Sequence, residues 1–143
     1  MAYIQTKVRT LQMSEDGTQK RVSATYLVEA ESFTEAETKI SEIVASAGED
    51  YTVEAVSKMN VTEIVFDPQS MGDTSFYKIK VEMVILDEVT AKEKRSAFCI
   101  LVEAESVDMA IAQSIPVLAK SVSDYEIVSI NKTSIKQVFT YQN

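Results

Sequence analysis

Alternating cations are the first chemical signal in this sequence. Lys7 and Arg9 are two residues apart, as are Lys78 and Lys80, and that spacing puts both charges of a pair on one face of an extended strand. Arg21 and Arg95 fall on the stretches that would pair with those strands. A row of outward cations can track a phosphate backbone and release its counterions. Tyr3 and Phe76, near the starts of the same strands, offer rings on which bases can stack. The pairs Glu29/Glu31 and Glu103/Glu105 suggest acid–base work or a divalent cation. A simpler role competes: Glu31 and Glu105 precede helix starts, where negative charge suits the dipole, and Glu29 and Glu103 then face solvent. Cys99 has no His beside it to lower its pKa.

What is missing narrows the chemistry further. With no His, the chain lacks the usual general base and the commonest metal ligand. One Cys makes neither an internal disulfide nor a thiolate zinc site. Three separated Gly form no Gly-rich phosphate loop. No enzyme is expected, and no catalytic residue, cofactor or metal.

The elements that must carry these residues come in two copies. Tyr26 to Ser32 returns as Ile100 to Ser106, with Leu27 to Ser32 identical at an offset of 74. The same offset matches Lys20-Arg21 with Lys94-Arg95, Ala36 with Ala110, Asp50-Tyr51 with Asp124-Tyr125, and Lys58 with Lys132. Residues 76–86 and 95–104 alternate at period two, with Ile79, Val81, Met83 and Ile85 facing Phe98, Ile100, Val102 and Ala104. Their counterparts are 3–13 and 19–30, joined through Asp16-Gly17, a favoured hairpin turn. Ser32 and Glu35 form a capping box, and Phe33, Ala36, Ile40, Ile43, Val44 and Ala47 make an apolar helical face that Gly48 can stop. In the second copy Ser106 keeps the cap, Met109 replaces the Glu, and Pro116 should kink or split the helix. Short strands at 51–58 and 61–66, then 125–131 and 134–141, close each copy. Tyr26, Phe33, Phe98 and Phe139 are expected in the core.

The expected fold is therefore α+β: two ββαββ repeats, 1–67 and 74–143, joined by a linker at 68–73. One helix cannot cover both faces of a sheet, so the repeats should pack as an intramolecular pseudo-dimer of antiparallel sheets with one helix each. The length of 143 residues and a content of 45% hydrophobic and 25% charged residues suit one folded domain. No apolar signal core opens the chain and no run is long enough for a bilayer, so the cytoplasm is the expected compartment and no membrane partner is expected. The net charge of −8 opposes indiscriminate binding to polyanions, yet it is unevenly spread. The two hairpins hold nine basic and eight acidic residues, a net of +1, which leaves −9 for the rest.

Thr6-Lys7-Val8, Tyr26 to Glu37, Ser123 to Ile127 and the closing Val138-Phe139 together resemble a domain-of-unknown-function family of short proteins from Bacteroidetes and their phages. That resemblance spans nearly the whole chain and implies a cytoplasmic bacterial or phage protein, with no catalytic residues to carry over. A looser likeness is one of topology. Residues 51–121, four strands and then a helix, are similar in order to the single-stranded-DNA-binding Whirly and transcriptional-coactivator proteins, although topology hosts many functions.

These signals support a non-enzymatic binding module for single-stranded nucleic acid. Lys7, Arg9, Arg21, Lys78, Lys80 and Arg95 would contact phosphates, and Tyr3 and Phe76 would stack on bases. Outward cations also protect sheet edges from aggregation, so the pattern has a purely structural explanation as well. The alternative is an acidic protein-interaction factor, a phage-type regulator or inhibitor of a host protein that could imitate DNA charge. A third possibility is a homo-oligomer assembled through hairpin edges.

Overall fold

A computed structural model describes residues 2–46, 50–69, 72–120 and 124–141. Its first element is a long antiparallel hairpin of β1 (Ala2–Met13) and β2 (Gln19–Ala30). Gly17 turns it with φ 84°, and Asp16 accepts hydrogen bonds from Ser14 Oγ and from the Thr18 amide and hydroxyl. α1 (Phe33–Ser46) follows directly. Its cap forms with the reciprocal bond displaced by one residue: the Glu35 amide donates to Ser32 Oγ at 3.1 Å, and the Glu35 carboxylate accepts at 3.2 Å from the amide of Glu31, just before the N-cap. The stop expected at Gly48, and Ala47 with it, lie outside the described residues.

β3 (Tyr51–Met59) and β4 (Glu63–Val65) come next. The second hairpin is β5 (Ser75–Leu86) with β6 (Glu93–Ala104), followed by α2 (Val107–Leu118), β7 (Asp124–Lys132) and β8 (Ile135–Phe139). Pro68 and Gln69 lie in a turn and Gly72 has φ 92°. Residues 70 and 71 of the expected linker lie outside the described residues.

The fold is α+β, with two four-stranded sheets and one helix on each, as the repeat implies. The closing strands are exchanged. One sheet has the order β3-β1-β2-β8 and the other β4-β6-β5-β7. The compact units are accordingly Met1–Asn60 with Ser134–Asn143, and Val61–Thr133, whereas the sequence repeats run 1–67 and 74–143. Each exchanged strand lies parallel to its neighbour, β8 on β2 and β4 on β6, so the sheets are antiparallel except at these edges. Local chemistry explains why β4 does not fold back on β3. A tight hairpin at Asn60-Val61 would need positive φ at a β-branched residue. Instead, the Thr62 amide and hydroxyl both donate to the Cys99 carbonyl, at 2.9 and 3.2 Å, and start β4 beside β6.

In each unit the helix covers one sheet face. Ile4, Val8, Val28, Ala30, Ala36, Ile40 and Val44 form the core of the first unit. Tyr77, Ile79, Val81, Ile100, Val102, Ala104, Ala110 and Leu118 form that of the second. Tyr26 and Phe139 pack on the first core and Phe98 on the second, as expected. Phe33, the first residue of α1, does not: it is 54% exposed. α2 runs unbroken through Pro116 to Leu118. The proline removes only the donor for the Ala112 carbonyl, and Ala112 is exposed, so solvent can serve that group. The helix-free faces are only partly wet, since Leu27 and Leu101 on those faces have no exposed surface.

Candidate nucleic-acid interface

In the first unit, β1 sends Ile4, Thr6 and Val8 towards the helix and leaves Tyr3, Lys7 and Arg9 on the opposite face. That face also carries Arg21, which is exposed and diagonal to Arg9 across the β1–β2 ladder. Tyr3 is half-buried between Glu29 and Met59 in register. β3 introduces a carboxylate that the cation pattern did not anticipate. Its pairing with β1 slips between Lys7 and Val8, so Glu54 bulges out of the ladder. Glu54 binds the Arg9 guanidinium and approaches Lys7 Nζ at 3.7 Å. Lys7 and Arg9 are thus partly neutralised within the fold.

The second unit repeats the geometry with different residues. β5 places Lys78 and Lys80 on the helix-free face, with Asn131 and Ser129 of β7 opposite them. The same slip occurs between Lys80 and Val81, and the bulged residue is Val128, the counterpart of Glu54. Among the described residues, Lys78 and Lys80 have no ion pair. Arg95 differs: its guanidinium lies 3.2 Å from Glu82, which raises its pKa, and 3.5 Å from Glu126.

Phe76 is not an exposed stacking platform. It is 5% exposed and meets Phe66 edge-on, with ring centroids 6.4 Å apart. The alternation placed Phe76 correctly on the outer face, but β4 runs past it and brings the Phe66 ring over it. Tyr77, a second ring on this strand, belongs to the core. Of the eight expected contacts, Lys78 and Lys80 lie together and Arg21 lies in the other unit, all three without ion pairs among the described residues. The remaining three cations are paired to carboxylates.

Of the four carboxylates in the repeated pairs, that of Glu103 serves structure. Glu103 accepts from the Asp67 amide and the Thr74 hydroxyl, both at 2.9 Å, and so pins the connection between β4 and β5. No group of three or more metal-binding side chains gathers among the described residues. Two further features carry no sequence motif. A cleft of about 390 Å3 in the first unit is lined by Arg9, Arg21, Asp50, Tyr51, Thr52 and Glu54. Near the end of β8, Tyr141 donates to Glu35 at 2.7 Å, and Lys39 Nζ lies 3.5 Å over its ring. The signal for the cleft was present in the repeat, where Thr52 aligns with Glu126 and Glu54 with Val128. It became readable only once β3 and β7 were known to flank β1 and β5.

No curated protein and no solved structure matches this chain. A family model does, over residues 2–141. This match agrees with the motifs at Tyr26 to Glu37 and Ser123 to Ile127, and the chain belongs to the family described as a domain of unknown function (DUF4494).

Proposed function

We propose that the protein is a non-enzymatic module that binds single-stranded nucleic acid, with its principal contact on the helix-free face of the second unit. One observation carries this reading: Val128 occupies the bulge where the first unit has Glu54, so Lys78 and Lys80 keep their charge available. Ser129 and Asn131 stand opposite them as neutral hydrogen-bonding partners. With Phe76 covered, the affinity rests on phosphate contacts more than on stacking, and it should be weak, tolerant of sequence and steep in salt. The likeness in strand order to Whirly-type proteins adds no support, because β3 lies in a different sheet from β4, β5 and β6. A bacterial or phage-infected cytoplasm is the setting this reading assumes.

Fluorescence anisotropy with a labelled oligothymidylate, titrated against salt, tests it. Lys78→Ala with Lys80→Ala should abolish measurable binding at moderate salt, and each lost contact should flatten the salt slope by about 0.7. Val128→Glu should recreate the first unit's carboxylate clamp and weaken binding several-fold. Affinity unchanged in both variants would overturn the proposal.

The second reading, an acidic factor that docks on a basic protein surface, is favoured by α1. Glu37 and Glu42 are exposed there beside Thr34, Thr38 and Ser41 around a shallow recess. A host-protein regulator or a DNA mimic would use such a face. Glu37→Lys with Glu42→Lys should then remove a salt-sensitive partner from a bacterial-lysate pull-down, and recovery identical to wild type would count against it.

A further inference from the structure

The two units provide an internal control for one position. In the second unit Arg95 sits between Glu82 and Glu126, which face each other across β5 and β7. In the first unit Arg21 takes the place of Arg95. The register puts Arg9 in the place of Glu82 and Thr52 in that of Glu126, since Arg9 pairs with Thr52 across β1 and β3. Both carboxylates that neutralise the arginine in one unit are therefore replaced in the other, one by a cation and one by a hydroxyl. Arg21 has no ion pair among the described residues. The Glu54 contact holds the neighbouring Arg9 guanidinium at the rim of the same cleft.

Arg21, with no carboxylate on it, stands beside an Arg9 that Glu54 only partly neutralises, and the positive charge that remains calls for an anion. The rest of the cleft indicates which kind. Tyr51, 36% exposed, presents a ring, and the Thr52 hydroxyl can hydrogen-bond to a phosphate oxygen. Asp50, also in the lining, would repel a second phosphate but can accept from sugar hydroxyls. It is held in place because the Leu11 amide donates to its carbonyl at 3.1 Å. A volume of about 390 Å3 is at the small-ligand end of the range for such sites.

We propose that this cleft binds a nucleoside 5′-phosphate, either as a free mononucleotide or as the 5′ end of a strand. Arg21 and Arg9 hold the phosphate and Tyr51 stacks on the base. Its lining residues all belong to the first unit and include neither Lys78 nor Lys80, so it stands or falls separately from the interface proposed above.

Calorimetric titration with AMP, adenosine and inorganic phosphate tests the assignment, with 5′-phosphorylated and 5′-hydroxyl pentathymidylate to separate the two sources. AMP should bind in the micromolar to millimolar range, more tightly than phosphate, and adenosine should not bind. Preference for the phosphorylated oligonucleotide over AMP would identify the strand end as the ligand, and the reverse order the free nucleotide. Arg21→Gln should weaken AMP by about tenfold or more, the loss of a charge-assisted contact. Thr52→Glu, at an exposed position, should close the site by giving Arg21 the carboxylate that Arg95 has. Lys78→Ala with Lys80→Ala should leave AMP binding intact. Absence of AMP binding at millimolar concentration, or binding unchanged in both Arg21→Gln and Thr52→Glu with the fold intact by circular dichroism, would overturn the proposal.

Discussion

Glu35, Lys39 and Tyr141 form one electrostatic cluster. Glu35 accepts the Tyr141 phenol at 2.7 Å, and this bond lowers the Glu35 pKa and pushes that of Tyr141 up to about 12. Lys39 completes the cluster, 3.3 Å from Glu35 and over the Tyr141 ring, with Nζ donating to the Glu29 carbonyl. The signs give a pH window. The raised folded pKa of Tyr141 means its contribution is full below the ordinary tyrosine value near 10 and is lost as pH rises through about 12. The lowered pKa of Glu35 means its contribution is present above the ordinary carboxylate value and is lost as pH falls through the folded one. An ultraviolet phenolate titration should therefore show one of the six tyrosines ionising near pH 12. That step should disappear in Tyr141→Phe and move towards 10 in Glu35→Gln. A titration identical in Glu35→Gln would show that the phenol bond is not its cause. The Tyr141 contact was not legible in the sequence, because Tyr141 is 106 residues from Glu35, whose local signal was that of a helix cap.

At the scale of elements, the repeat shows which features each piece of chain specifies by itself. Both N-caps form as their residues imply, Ser32 accepting from Glu35 and Ser106 from Met109. The helices then diverge at aligned positions. Ile40, buried in α1, is matched by Ser114, buried in α2, whose hydroxyl is satisfied by the Ile111 carbonyl at 2.7 Å. Exposed Ile115 is matched by Ser41. The periodicity located both helices, but the second is apolar on nearly every side and its sequence does not single out the buried face. The hairpin turns diverge as well. Gly17 occupies the left-handed region in the first, and the matching residue of the second, Ala91, does so with φ 58°. An L-residue is strained there. Ala91→Gly should therefore stabilise the protein by about 0.5–1 kcal/mol, the strain relieved less the entropy glycine adds to the unfolded chain, read as a higher thermal midpoint. A lower midpoint would show that the turn is not strained.

For the molecule as a whole, the exchange of β4 and β8 makes the two sequence repeats interdependent. Fragment 1–67 lacks β8, whose Ile135 and Val138 are buried, and fragment 74–143 lacks β4. Neither fragment should unfold cooperatively alone by circular dichroism, whereas an equimolar mixture should regain sheet signal and a sigmoidal melt. Cooperative melting of monomeric 1–67 by itself would overturn this expectation. The boundary between copies was legible as a sequence period, but the boundary between compact units was not. The sequence by itself determined what neighbouring residues decide: alternation at period two, the Asp16-Gly17 turn, the Ser caps, the duplication and the face on which each cation lies. Those features follow from steric and hydrogen-bonding choices within a few residues. Only the tertiary structure decided which strand closes which sheet, which ring covers Phe76, and which cations meet a carboxylate. Glu54 reaches Lys7 and Arg9, and Glu126 reaches Arg95, only after the chain has returned with one residue bulged from the ladder, and Phe66 reaches Phe76 only once β4 has paired with β6. A one-residue slip changes the face of every following side chain, so the free charge of Lys78 and Lys80 is a property of the assembled sheet.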